Sequence, residues 1–264
     1  MRKWDRIPHF SLLVPRSFLM STTISLGLVG LLLLTMPVYA IVSRGRPIDP
    51  EVARRPKTIL LGHWVRDWLM WVIGPMERGF VRAGLSPDFF NFLGAALGLG
   101  AGVAFATGDF AVAGWLVLLG GAADIFDGRI ARARGLANKY GEFLDSTLDR
   151  FAETFAYTGL ALRLAHTPWM ALSTVLALGG SMLVSYTRAK GEALGVSCKG
   201  GIMQRAERLV LLALAALVDA PLCERAGWRP GTVLGLAVAV IGLGSLGTGM
   251  YRTWFIARRL KMGD

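Results

Sequence analysis

Four aspartates set the chemistry this chain can do. Asp124 and Asp127 are three residues apart and Asp145 and Asp149 four apart, with Gly128 and Arg132 between the pairs. On two helices each pair shares one face, so all four carboxylates can converge. Their flanks are apolar: no charge occurs from Phe110 to Ala123 or from Phe155 to Leu162. Anions gathered at membrane helix ends repel one another and lose hydration, so they require compensating cations. Carboxylates without His or Cys nearby suit Mg²⁺ or Mn²⁺, and Mg²⁺ completes its shell with phosphate oxygens and water. Gly128 lets a ligand approach the backbone, and Arg132 supplies a planar phosphate clamp. These residues fit metal-assisted chemistry on a lipid-borne diphosphate. The competing reading makes the acids helix caps or ion-pair partners of Arg129, Arg132, Arg134 and Arg150; four acids at helical spacing plus the glycine weigh against it.

The elements that position these groups are membrane helices. The 264 residues are 53% hydrophobic and the mean hydropathy is +0.49, which points to a polytopic membrane protein rather than a soluble enzyme. Lys and Arg exceed Asp and Glu by 29 to 18, giving +11. The excess sits in short segments between apolar spans, where topology and anionic headgroups require it, so no nucleic-acid partner is expected. Cys198 and Cys223 fall in different predicted loops, and His9, His63 and His166 show no ligand spacing. Neither a disulfide framework nor a zinc site follows from them.

In chain order, a basic tail precedes an apolar run from Ser17 to Val42, long enough to span a bilayer. Val38-Tyr39-Ala40 makes a cleaved signal peptide the alternative, against which the long leading region argues. Arg44 to Lys57, with Pro47, Pro50 and Pro56, reads as a linker. Ile59 to Gly84 mixes Trp64, Trp68 and Trp71 with charges, as in a helix lying in the headgroup layer, and Pro75 is expected to bend or break it. Six spans follow, near 87–106, 110–133, 139–164, 167–190, 204–221 and 231–258. Basic residues in the connections on the acids' side and in the tail outnumber those opposite by thirteen to three, which puts the acids and the C-terminus on the cytoplasmic face. The expected architecture is an all-α polytopic membrane bundle: residues 1–58 as tail, transmembrane helix and linker, 59–84 as the interfacial helix, and 85–264 as a six-helix core. Gly94 and Gly98, and Gly231 and Gly235, have the spacing of close helix contacts, either within one subunit or between two.

The string D-x2-D-G-x2-A-R-x8-G-x3-D-x3-D, running from Asp124 through Ala131 and Gly141 to Asp149, resembles the signature of the CDP-alcohol phosphatidyltransferase family, with every fixed position filled. The resemblance covers residues 85 to 260. It implies a CDP-diacylglycerol donor, two Mg²⁺ or Mn²⁺ ions held by Asp124, Asp127 and Asp145, CMP as leaving group, and a homodimer. Asp149 would share the metals or act as base on the acceptor hydroxyl. A carboxylate with an ordinary pKa of about 4 is a weak base, so Asp149 either has a raised pKa or chiefly positions the alcohol.

Leu85-Ser86-Pro87-Asp88-Phe-Phe-Asn91 resembles a family element implicated in nucleotide binding, so Asp88 and Asn91 join Gly128, Ala131, Arg132 and Asn138 as nucleotide candidates. Asp88 and Asn138 also read as helix N-caps. The run Ser185-Tyr186-Thr187-Arg188-Ala189-Lys190-Gly191-Glu192, the pair Arg205 and Arg208, and Arg252 on the last span look most like the phosphatidylinositol phosphate synthases. That likeness makes Arg188, Arg205 and Arg252 candidates for an inositol phosphate acceptor. Without it, the same residues read equally as a positive-inside loop with Glu192 and Glu207 pairing locally. Glycerol phosphate, serine or another alcohol is the alternative acceptor. An intramembrane prenyltransferase and a cation or proton transporter are the readings outside this chemistry.

Overall fold

The apolar runs and their punctuation translate directly into helices. The computed structural model describes residues 16–54, 62–198 and 200–263. The basic tail with His9, the end of the linker, the first residues of the expected interfacial helix and Lys199 lie outside them. Nine helices occur among the described residues: α1 (Arg16–Val42), α2 (Pro50–Arg54), α3 (His63–Arg82), α4 (Pro87–Thr107), α5 (Phe110–Ala133), α6 (Lys139–Leu164), α7 (Pro168–Ala193), α8 (Arg205–Ala226) and α9 (Thr232–Gly263).

The last six pack as a closed ring in the order α4, α5, α8, α9, α7, α6 and back to α4. All are long enough to cross a bilayer, but only α4, α5, α7 and α9 are also apolar enough by composition. The other two carry the charges: α6 has Asp145, Asp149 and Glu153, and α8 has Arg205, Glu207, Arg208 and Asp219. Lipid penalises such groups, so they face the ring interior, where Glu153, Glu207, Arg208 and Asp219 are all buried.

Short connections make sequential helices antiparallel. At the α4–α5 turn Gly108 takes φ 91°, a left-handed cap that only glycine adopts cheaply, and its N–H donates to the carbonyls of Ala104 and Phe105. At α8–α9 the cap comes from another helix. Asp219 accepts the Gly231 and Leu234 N–H groups at 2.6 and 3.0 Å, satisfying donors that α9's first turn leaves orphaned. Asp219→Ala should therefore cost about 1–3 kcal/mol, because those donors stay buried without an acceptor. A thermal midpoint in detergent equal to the parent's would exclude this role.

The N-terminal part differs from expectation in several ways. The linker contains the short helix α2 and is pinned to the bundle: Asp49 accepts from Arg129 Nη1 on α5 at 3.2 Å, and its own N–H donates to Asp67 at 2.7 Å. Tyr39, in the tripeptide on which the alternative of a cleaved signal peptide rests, is buried against Trp64 and Trp71, and its hydroxyl donates to Asp67. Trp68 Nε1 donates to Thr35 Oγ1 at 2.8 Å, joining α3 to α1. Pro75 does not break α3, which runs through it. That helix docks on the ring through Phe80, whose ring lies 5.1 and 5.0 Å from those of Phe90 and Phe126. Cys223, expected in a loop, lies inside α8, which also continues past Pro221.

The small-residue pairs are used inside the chain. Gly98 lies against Ala152 of α6, and Gly235 against Met170 of α7, whereas Gly94 is in looser contact and Gly231 sits before α9 with a positive φ.

Candidate active site

Asp124 and Asp127 lie on the last three turns of α5, and Asp145 and Asp149 on the first three of α6. The connection between these helices is capped by Asn138, whose side chain accepts the Gly141 N–H at 2.9 Å while its amide donates to the Leu136 carbonyl. The cap starts α6 so that its acidic face meets that of α5. Asp124, Asp145 and Asp149 each offer an oxygen within 4.8 Å of the others. Asp127 is more deeply buried and falls outside that triplet, although it lines the same cleft.

The cleft is bounded by α4, α5, α6 and α8 and encloses about 630 Å³, in part open to solvent. Its upper part holds the four aspartates, Asn91 and Arg205. Below them it is lined by small residues, among them Gly94, Gly98, Gly121 and Ala152. Three half-exposed carboxylates with converging oxygens, and no nitrogen or sulfur donor in their group, fit a hard divalent ion. Such an ion, when bound, neutralises charge on phosphate oxygens.

Arg205 is the cation nearest these acids. Its Nη2 lies 2.5 Å from Asp149, its Nε 3.9 Å from Asp124 and its Nη1 3.5 Å from Glu153. Arg150 adds a contact of 3.4 Å to Asp149. The other arginines near the motif are committed elsewhere. Arg129 pairs with Glu77 at 2.5 Å and with Asp49, and Arg134 donates to the carbonyls of Gly84 and Leu85, fastening the end of α5 to the start of α4. Arg132 lies across Gly128, where a Cβ would meet its Nη1 at 3.0 Å, so the glycine makes room for the guanidinium.

The remaining candidates divide. Asn91 is buried in the cleft, one turn into α4. Asp88 lies in the first turn of α4 but is not its cap. Ser86 is, accepting the Phe89 N–H at 3.2 Å, because Pro87 at the first helical position places the cap one residue before it. Ala131 is half-buried one turn beyond Asp127. Arg188, Arg205 and Arg252 do not share the cleft: only Arg205 lines it. Arg188 is exposed and pairs with Glu192 at 3.0 Å, as the local-pairing reading expected. Arg252 is buried, donating to the Gly200 and Val184 carbonyls at 2.9 and 2.8 Å. Glu207 does not pair locally; Arg66 on α3 approaches it at 3.6 Å. Sequence reasoning gives no site role to Glu153 and takes Arg208 only as the partner of Arg205 in the acceptor element; the two are buried, line the cleft and pair with each other at 2.8 Å. A signal was present: Glu153 continues the four-residue spacing of Asp145 and Asp149.

Residues 85–248, the stretch that builds this cleft, match the CDP-alcohol phosphatidyltransferase family. The chain belongs to that family. It is 32% identical over 235 residues to a phosphatidylinositol phosphate synthase of Streptomyces avermitilis, covering 85% of this chain and 92% of the relative. An archaetidylinositol phosphate synthase of Methanothermobacter thermautotrophicus is 33% identical over 148 residues, covering 54% and 74%. Among solved structures, the phosphatidylinositol phosphate synthase of Mycobacterium tuberculosis with CDP-DAG bound superposes with a TM-score of 0.61 at 27% identity, covering 69% of this chain and 92% of that one. The same enzyme in complex with manganese and citrate gives 0.61 at 28% identity, covering 69% and 87%. The chain is thus a multi-pass membrane phosphatidyltransferase of a metal-dependent family.

Proposed function

We propose that this chain transfers the phosphatidyl group of CDP-diacylglycerol to a hydroxyl of a small phosphorylated alcohol, an inositol phosphate foremost, and releases CMP. The observation that carries the reading is the convergence of Asp124, Asp145 and Asp149 directly above a cleft lined mainly by small and apolar residues. One end suits a metal-bound diphosphate and the other an apolar lipid. In this reading Asp124, Asp127, Asp145 and Asp149 hold two Mg²⁺ or Mn²⁺ ions. Asp88, Asn91, Gly128, Ala131, Arg132 and Asn138 contact the nucleotide end of the donor. The acceptor oxygen bonds to the phosphorus that carries diacylglycerol, the P–O bond to CMP breaks, and the hydroxyl proton leaves by way of Asp149 or water.

The acceptor's phosphate is assigned to Arg205 at the cleft and to Arg188 and Arg252 beside it, supported by the relatives that make inositol phosphate lipids. The excess of basic residues in the connections at this end supports a position on the cytoplasmic side of the cell membrane, where a cytidine nucleotide occurs. The homodimer rests on family resemblance alone, since Gly98 and Gly235 are used within one chain.

Purified full-length protein incubated with CDP-diacylglycerol, Mg²⁺ and a panel of alcohols should release CMP fastest with inositol phosphate. Release with glycerol phosphate or serine instead would move the acceptor while keeping the reaction. Pyrophosphate released from an added prenyl diphosphate, with no CMP from any CDP-lipid, would indicate a prenyltransferase, and neither product would favour a transporter.

A further inference from the structure

Glu153 lies one helical turn below Asp149 and two below Asp145 on the same face of α6. It is 4% exposed, and a single oxygen, Oε1, serves two arginines of α8: Arg208 Nη2 at 2.8 Å and Arg205 Nη1 at 3.5 Å. Arg205 therefore bridges two carboxylates, with Nη2 on Asp149 and Nη1 toward Glu153, while its buried Nε has no hydrogen-bond partner and faces Asp124 at 3.9 Å. Among the described residues, Asp149 and Asp124 are the other carboxylates within 4 Å of Arg205. Both belong to the triplet that fits a divalent ion.

A guanidinium stays charged and competes with a metal for the same oxygens. If Glu153 lost its charge, Arg205 and Arg208 would sit close together without the anion they share. Arg208 also donates to the Met203 carbonyl, whereas the other contacts of Arg205 are with the metal site itself: the Asp149 carbonyl at 3.4 Å and the carboxylates of Asp149 and Asp124.

We propose that Glu153 is a positioning residue: by taking one Nη group of Arg205 it limits that guanidinium to a single carboxylate oxygen of Asp149 and keeps it 3.9 Å from Asp124, leaving the remaining oxygens available to the metal. This rests on the metal-dependent reading above.

The test is Mn²⁺ binding by the detergent-purified full chain, followed from the electron paramagnetic resonance signal of free Mn²⁺. Glu153→Gln should weaken binding about tenfold, the scale of losses on removing a group that orients metal ligands. Loss of a nearby negative charge would also weaken binding directly, so Arg205→Gln and the double variant complete the cycle. With Arg205 absent, Glu153→Gln should change affinity by less than about twofold, and the double variant should bind Mn²⁺ more tightly than Glu153→Gln alone. That recovery also separates the effect from misfolding. Equal weakening by Glu153→Gln in both backgrounds, no weakening in either, or no recovery in the double variant would overturn the proposal. Absence of saturable Mn²⁺ binding in the parent protein would overturn the metal reading itself, and this inference with it.

Discussion

Alanine at Asp124 should lower CMP release from CDP-diacylglycerol by about a thousandfold or more, and alanine at Asp127 should do the same. Asp124 is the only α5 member of the triplet with Asp145 and Asp149, so without it the metal site is confined to one helix. Removing one preorganised charged group from the place where transition-state charge develops typically costs about 3–4 kcal/mol, or two to three powers of ten in rate. Losing a ligand outright adds to that. Asp127 lies one turn further along in the same cleft, shielded from water.

Stability should move the other way. Four acids at one membrane boundary repel one another, so removing one in metal-free protein should leave the thermal midpoint unchanged or raise it. Lost turnover with a retained or raised midpoint is the expected pair of results. Near-normal turnover in either variant would refute the metal role.

That pair of helices was legible in the sequence because carboxylates spaced three or four apart on an apolar background are costly unless they meet a shared cation. The core helices were legible too, from long apolar runs with Gly and Pro between them. Spacing, however, reports which face a side chain is on and not how deep it sits. Asp127 shares the face of Asp124 yet is buried and falls outside the triplet. Arg205, Arg188 and Arg252 looked equivalent as cations near one membrane surface. The rotation of α8 turns Arg205 inward among the acids, while the 194–204 connection and α7 supply the carbonyls that occupy Arg252.

Asp49 shows the same limit at long range. In a proline-rich linker it reads as a solvated charge, but its partner Arg129 lies 80 residues away, and no local pattern announces such a pair. The cap of α4 is missed for a different reason: Asp88 reads as the cap, whereas Pro87, favoured at the first helical position, puts the cap at Ser86.

The fold's least forgiving seam runs between α4 and α6, and it aligns the acids of α6 with the rest of the cleft. A Cβ on Gly98 would stand 2.5 Å from both Cα and Cβ of Ala152. One on Gly102 would run into the Phe155 carbonyl, and one on Gly159 into the backbone of Gly102. The obstacles at the last two are backbone atoms, which have no rotamer through which to escape, so the helices themselves must separate.

Overpacking a well-filled interior costs about 1–3 kcal/mol when side chains can give way, and more when they cannot. Gly102→Val and Gly159→Val should each cost at least about 3 kcal/mol. For a chain of this size that corresponds to a fall in thermal midpoint of about 6–12 °C, or to no folded protein in detergent. Gly179→Ala in α7 and Gly247→Ala in α9 are the controls: nothing lies within 4 Å of the added methyl, and alanine is the better helix former, so both should be neutral or slightly stabilising. If Gly102→Val unfolded at the parent temperature, α4 and α6 could not be in contact as described. The cleft wall would then have to be built differently, because Gly98 of α4 and Ala152 of α6 line the cleft and touch across this same seam.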